Sequence, residues 1–166
     1  MKAKNIVFVC IRVLLVAALI GAIVCFIFLQ KPESKVPFRT VKAKVAATIK
    51  SEGMSESTSR FFKKYYGQNA EEYDGVLLYA PNSNMDADEV LLVKTKSAEQ
   101  AERLIELIKT RQQTKENTFK GYAPEQYALC QNYILDHQDS YILFVVSADA
   151  EKTDAAFRAA LAGNEG

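Results

Sequence analysis

The chain lacks the residue sets on which most recognisable catalytic and metal chemistry depends. Its 166 residues include three cysteines, one histidine and no tryptophan. Cys10 and Cys25 fall inside an apolar run, which leaves Cys130 alone outside it. A single thiol forms neither an internal disulfide nor a redox pair. There is no Cys/His metal set, no glycine-rich phosphate loop, no serine nucleophile elbow and no zinc-helix motif. Neither a metal nor a cofactor is implied. Charge of one sign is also missing: the net charge is +1, which argues against nucleic acid as a partner.

What is present is unevenly spread. Ile6 to Leu29 is a 24-residue run holding a single charge, Arg12. As a helix it would cover about 36 Å, against a hydrocarbon core of about 30 Å. Arg12 lies close enough to the start for its stem to reach the headgroups. The run exceeds the apolar stretch of a signal peptide and ends without a small-residue cleavage site. Cys25 follows Val24, not a small residue, so no lipid-modification site is read there. The sequence therefore predicts an uncleaved single transmembrane helix, with membrane lipid as its partner. Basic residues flank both ends, and their literal count places the following domain inside the cell. A short basic tail, however, is usually retained inside, and long domains translocate largely regardless of charge. The expected address is the cell membrane, single-pass, with the carboxyl-terminal domain extracytoplasmic.

Residues 1–30 are thus read as an anchor and 31–37 (KPESKVP), with two prolines, as a linker. Residues 38–166 form one domain of ordinary size. Val41, Val45 and Ile49 recur at helical spacing within Phe38–Ser51. Ser55–Tyr66 reads as a second helix, with Gly67 placed to end it. Tyr73–Ala80 and Glu89–Lys96 read as strands joined by a loop. A Ser97–Gln100 capping box opens a helix to about Lys115 with Ala101, Leu104, Ile105 and Ile108 inward. Pro124 suits the first position of a short helix. A second hairpin, Asn132–His137 and Tyr141–Ser147, turns at Gln138–Ser140. Because YILFVVS is apolar without alternation, it is expected to be a central strand. Asp149 opens a last helix. The predicted class is α+β: a transmembrane helix followed by a four-stranded antiparallel sheet of two hairpins, packed with helices.

The segments FFKKYYGQNAEEYDGVLLYAP, MDADEVLLVK, TFKGYAPEQYALCQNYIL and YILFVVSADAE together resemble a family of domains of unknown function. That family occurs in membrane-anchored and lipoprotein-type extracytoplasmic proteins of Gram-positive, clostridia-like bacteria. The resemblance spans roughly residues 40 to 162, with DADEVLLVK and F-x-GY-x-PEQ its most specific pieces. It implies an extracytoplasmic address and transfers no catalytic residue.

Individual candidates reduce mostly to ordinary roles. His137 reads as a turn residue, since Asp136 points to the opposite strand face. Cys130 reads as core. Asp86, Asp88 and Glu89 begin like a calcium loop, but Leu91 and Ser97 stand where Gly and Glu are required. RFFKKYY divides into an aromatic inner stripe and a basic outer face. Two candidates remain. Tyr122, Glu125 and Gln126, in the GYAPEQ turn, are a binding-site expectation for an envelope protein or ligand. Arg39, Lys42, Lys44 and Lys50 are expected to face anionic headgroups, because residues 31–64 carry +6 and residues 65–166 carry −8. The expected function is a binding or accessory role in the cell envelope without catalysis. The alternative is an envelope enzyme using carboxylates and Tyr near GYAPEQ.

Overall fold

The computed structural model describes residues 12, 15–21, 34–50 and 52–163. The chain divides into two compact units, Met1–Pro32 and Glu33–Gly166. In the first, residues 15–21 are helical and Leu15, Val16, Leu19 and Ile20 are exposed. No helix among the described residues is long and apolar enough to cross a membrane. This corrects the predicted fold, which opened on a spanning helix. Most of the Ile6–Leu29 run lies outside the described residues.

The second unit contains α1 (Phe38–Ala46), β1 (Met54–Glu56), α2 (Thr58–Tyr66), a 3-10 turn at Ala70–Glu72, β2 (Gly75–Pro81) and β3 (Glu89–Lys94). They are followed by α3 (Ala98–Phe119), α4 (Pro124–Gln131), β4 (Ile134–Gln138), β5 (Tyr141–Val146) and α5 (Ala150–Leu161). The sheet is antiparallel throughout, in the order β1-β2-β3-β5-β4. It therefore has five strands where four were expected. The additional one, β1, pairs Met54 with Pro81, Ser55 with Ala80 and Glu56 with Tyr79. These residues had been read as the approach to and start of a helix. Three residues with no β-branched or aromatic side chain carry no strand signal, so the pairing is imposed by β2 and by the turn at Gly53. The φ of Gly53, +82°, suits a residue without Cβ. The Asn82 N–H donating to the Gly53 carbonyl at 2.8 Å closes the junction.

Two hydrophobic clusters lie on opposite faces of this sheet. Leu78, Leu91, Val93, Ile142, Phe144 and Val146 pack with Phe62, Tyr66, Leu104 and Ile108 of α2 and α3, and with Cys130 of α4. Leu77, Val90, Leu92, Tyr141, Leu143 and Val145 pack with Val41, Val45, Phe157 and Ala160 of α1 and α5. Every residue of β5 is buried, as the lack of alternation in YILFVV requires of a strand covered on both sides. Helix α1 packs as part of this domain. The Phe38 ring stacks against Tyr141 at 6.4 Å and lies over Gly75, where a Cβ would meet it at 2.3 Å. Residues 34–37 also lie against the domain: the Tyr141 hydroxyl donates to the Val36 carbonyl at 2.8 Å.

Candidate functional site

One end of the sheet collects the polar features. Here β3 begins, β5 ends and β1 enters. The key segment is Ala87-Asp88-Glu89, because a chain entering a strand sends successive side chains to opposite faces. Glu89 enters the helix-covered face beneath α2 and α3. Asp88 turns to the other face, alongside Val90.

Glu89 is completely buried and held by three donors. The Tyr66 hydroxyl donates to Oε1. Lys115 Nζ reaches Oε2 at 2.6 Å, and Arg111 reaches it through Nε at 3.2 Å and Nη2 at 2.9 Å. The Arg111 guanidinium also lies over the Tyr65 ring, 3.9 Å from its centroid, a favourable cation–π position. Burial raises the Glu89 carboxyl, but Lys115 and Arg111 outweigh it and hold the group below its ordinary value. Burial pushes the Lys115 ammonium down, and Glu89 only partly offsets that. Tyr66 is raised well above its ordinary value, by burial first and then by the neighbouring Glu89 charge. Two cations thus share one carboxylate in a dry setting. The arrangement crosslinks α2, α3 and β3, and its donors all point inward at Glu89.

Asp88 faces a cleft of about 330 Å³. Ile49, Met54, Val90 and Ala148 give it apolar surface, and Thr48, Thr153 and Ser147 give it hydroxyls. The Thr48 and Thr153 hydroxyls are 2.9 Å apart and hydrogen-bonded, joining the chain after α1 to α5. At the rim Lys50 pairs with Asp149 at 2.6 Å. This pair raises Lys50 and lowers Asp149 through their hydrogen bond. Asp149 precedes α5, as the sequence suggested, but its side chain makes no capping bond. Burial holds the half-buried Asp88 carboxyl above its ordinary value, and a hydrogen bond to its own backbone opposes that first. Glu52 completes the acidic side.

The sequence-predicted groups lie elsewhere or are divided. Tyr122 is 54% exposed, with its ring 6.1 Å from Phe119. Glu125 is exposed in the first turn of α4. Gln126 turns inward, and its Oε1 accepts from the Ala87 N–H at 2.7 Å. It therefore fixes the loop that aims Asp88 and Glu89. Of the basic group, Arg39 and Lys44 are exposed on α1, while Lys42 pairs with Glu56 at 2.8 Å. Lys50 lies beyond the end of α1 and belongs to the cleft rim. The structure does not bring these four cations together on one helix.

The remaining candidates keep ordinary environments. Cys130 is buried, and burial pushes its thiol up. His137 Nε2 is 2.8 Å from the Asp139 carbonyl, while Asp136 faces away toward Arg158 at 2.9 Å. Among the described residues, no three His, Cys, Asp or Glu side chains converge as metal ligands. On α2, Phe62 and Tyr66 are buried and Arg60, Lys63 and Lys64 are exposed, the division expected of RFFKKYY.

Sequence reasoning missed both the Glu89 cluster and the cleft. The first had a signal. The buried stripe of α3 runs through Ala101, Leu104 and Ile108 and continues in the same spacing to Gln112, Lys115 and Phe119. A lysine in the inward register calls for a buried partner. The cleft had none, since its lining comes from three segments far apart in the chain, 48–54, 88–90 and 147–153.

Residues 47–147 match the family described as Domain of unknown function (DUF4358), and the chain belongs to that family. The match lies within the span of the sequence resemblance and says nothing of organism range or membrane attachment. No curated protein and no solved structure matches the chain.

Proposed function

We propose that this DUF4358 domain is a small-ligand binding module with an accessory role at the cell membrane. Its site is the cleft between the end of α1, the start of β1, the start of β3 and the start of α5. The observation that carries the reading is the cleft itself. Its volume of about 330 Å³ lies at the small end of the range for ligand sites, and it combines apolar walls with a few polar groups. Neither His137 nor Cys130 lines it, so the reading is binding without chemistry. The membrane address is supported by the composition of Ile6–Leu29, and the extracytoplasmic side by the tendency of long domains to translocate largely regardless of charge.

A fragment screen on the full chain, read by amide chemical shifts, tests the site. Shifts gathered at Thr48, Val90, Ala148 and Thr153 are expected. Shifts gathered at Tyr122, Glu125 and Gln126 would move the site to the α3–α4 turn. Retention in the membrane fraction through alkaline washing is expected for the address, and release would overturn it. Digestion of the domain by protease added to intact protoplasts is expected for the extracytoplasmic side.

A further inference from the structure

We infer that the ligand of the cleft is a small organic ammonium ion: a primary amine on a short apolar stem, with Asp88 as its counter-ion. This inference rests on the cleft being the site. The charges around the cleft decide the sign. Four charged side chains line it: Lys50, Glu52, Asp88 and Asp149. Lys50 and Asp149 neutralise each other at 2.6 Å. What remains is a half-buried carboxylate at Asp88 and an exposed one at Glu52, with no cation left over among the described residues of the lining. An anionic ligand would meet two uncompensated carboxylates, and Asp149 already stands at the start of α5, where such a ligand would otherwise find the helix dipole.

Asp88 differs from its neighbour in what surrounds it. Glu89 is saturated by Tyr66, Arg111 and Lys115, so it has no capacity for a ligand and lies on the wrong face. Asp88 is partly withdrawn from water without an ion-pair partner in the cleft. An ammonium arriving there would add a charge-assisted hydrogen bond to a carboxylate that otherwise bonds to its own backbone. Met54, Val90 and Ile49 offer apolar surface beside the carboxylate, which matches a stem of a few methylene groups. The Thr48–Thr153 pair closes one wall. A bare metal ion fits less well, because no three donor side chains converge among the described residues.

The test uses the full chain and three probes of matched length: n-butylammonium, n-butanol and butyrate, each titrated while the Val90 and Ala148 amides are followed by NMR. Butylammonium is expected to saturate those shifts with an affinity at least about tenfold above butanol, the discrimination a charge-assisted hydrogen bond gives. Butyrate is expected to be the weakest. In Asp88→Asn the advantage of butylammonium over butanol is expected to vanish while butanol binding persists. Equal binding of butylammonium and butanol to the native chain would overturn the ammonium assignment and leave the cleft as an apolar site. Preference for butyrate would do the same and reverse the sign. If none of the three shifts the cleft amides, the binding-module reading falls with it. The comparison on the native chain decides between these outcomes even if the variant folds poorly.

Discussion

Asp88 and Glu89 are adjacent carboxylates that meet opposite surroundings. Glu89 enters a closed face and is fully buried, with two cations and a phenol converging on it. Asp88 enters the opposite face, which α1 and α5 cover but which the cleft leaves open at this end, and stays half-buried there. The two differ in kind as well as degree. A buried charge with partners fixes structure, because removing any partner strands the others. A partly buried charge without one leaves interaction energy unused, which a ligand can take up. One peptide bond separates the group that organises the fold from the group best placed to bind.

The largest expected effect comes from breaking the closed side. Glu89→Gln removes the charge that Lys115 and Arg111 share. Lys115, 4% exposed, then has no counter-ion, and the loss is expected to be about 3–5 kcal/mol, read from urea unfolding. A loss under about 1 kcal/mol would mean that water reaches the cluster. Tyr66→Phe removes one donor and leaves both cations in place. It is expected to cost about 1.5–3 kcal/mol, the range for a hydrogen bond to a charged group. Asp88→Asn, the matching change on the open side, is expected to stay within about 0.5 kcal/mol of the native chain. If it costs as much as Glu89→Gln, the two sides are not different in kind.

The smallest effect is one of slope. The Asp88 carboxyl is raised above its ordinary value of 3.8. Its contribution to stability is therefore fully present below that value and is lost as pH rises through the folded-state value. Glu89 is lowered from 4.5, so its contribution is present above 4.5 and is lost as pH falls through the depressed value. The neighbours pull the stability profile in opposite directions. Across the acidic range, Asp88→Asn is expected to steepen the loss of stability with falling pH, and Glu89→Gln to flatten it. Parallel profiles for the two variants would contradict the assignment.

The sequence showed these features unequally, for physical reasons. Elements with strong local signals were legible: the unbroken apolar run of β5, the Ser97 cap of α3 and the Gly67 terminus of α2. Ser97 Oγ accepts from the Gln100 N–H at 3.2 Å as expected, although Gln100 returns to the Lys96 N–H rather than to that of Ser97. Strand β1 was not legible, because its pairing with β2 is a tertiary event with no local preference behind it. Asp88 and Glu89 were noticed only as an incomplete calcium loop. Their roles depend on which face each one enters and on residues 22 to 65 positions away. Gln126 is expected in a binding turn with Tyr122 and Glu125, but its side chain turns inward and accepts from the Ala87 N–H.

The shortness of β1 also sets a hierarchy of motion. It is an edge strand of three residues, whereas β3 and β5 are paired on both sides. Local openings draw first on the segments with the fewest buried contacts. Amide exchange at Ser55 is therefore expected to follow local opening of the edge, and exchange at Leu91 and Leu143 to follow global unfolding. Met54, which contributes apolar surface to the cleft, belongs to the faster class, so one wall of the cleft yields on a shorter timescale than the strand that carries Val90.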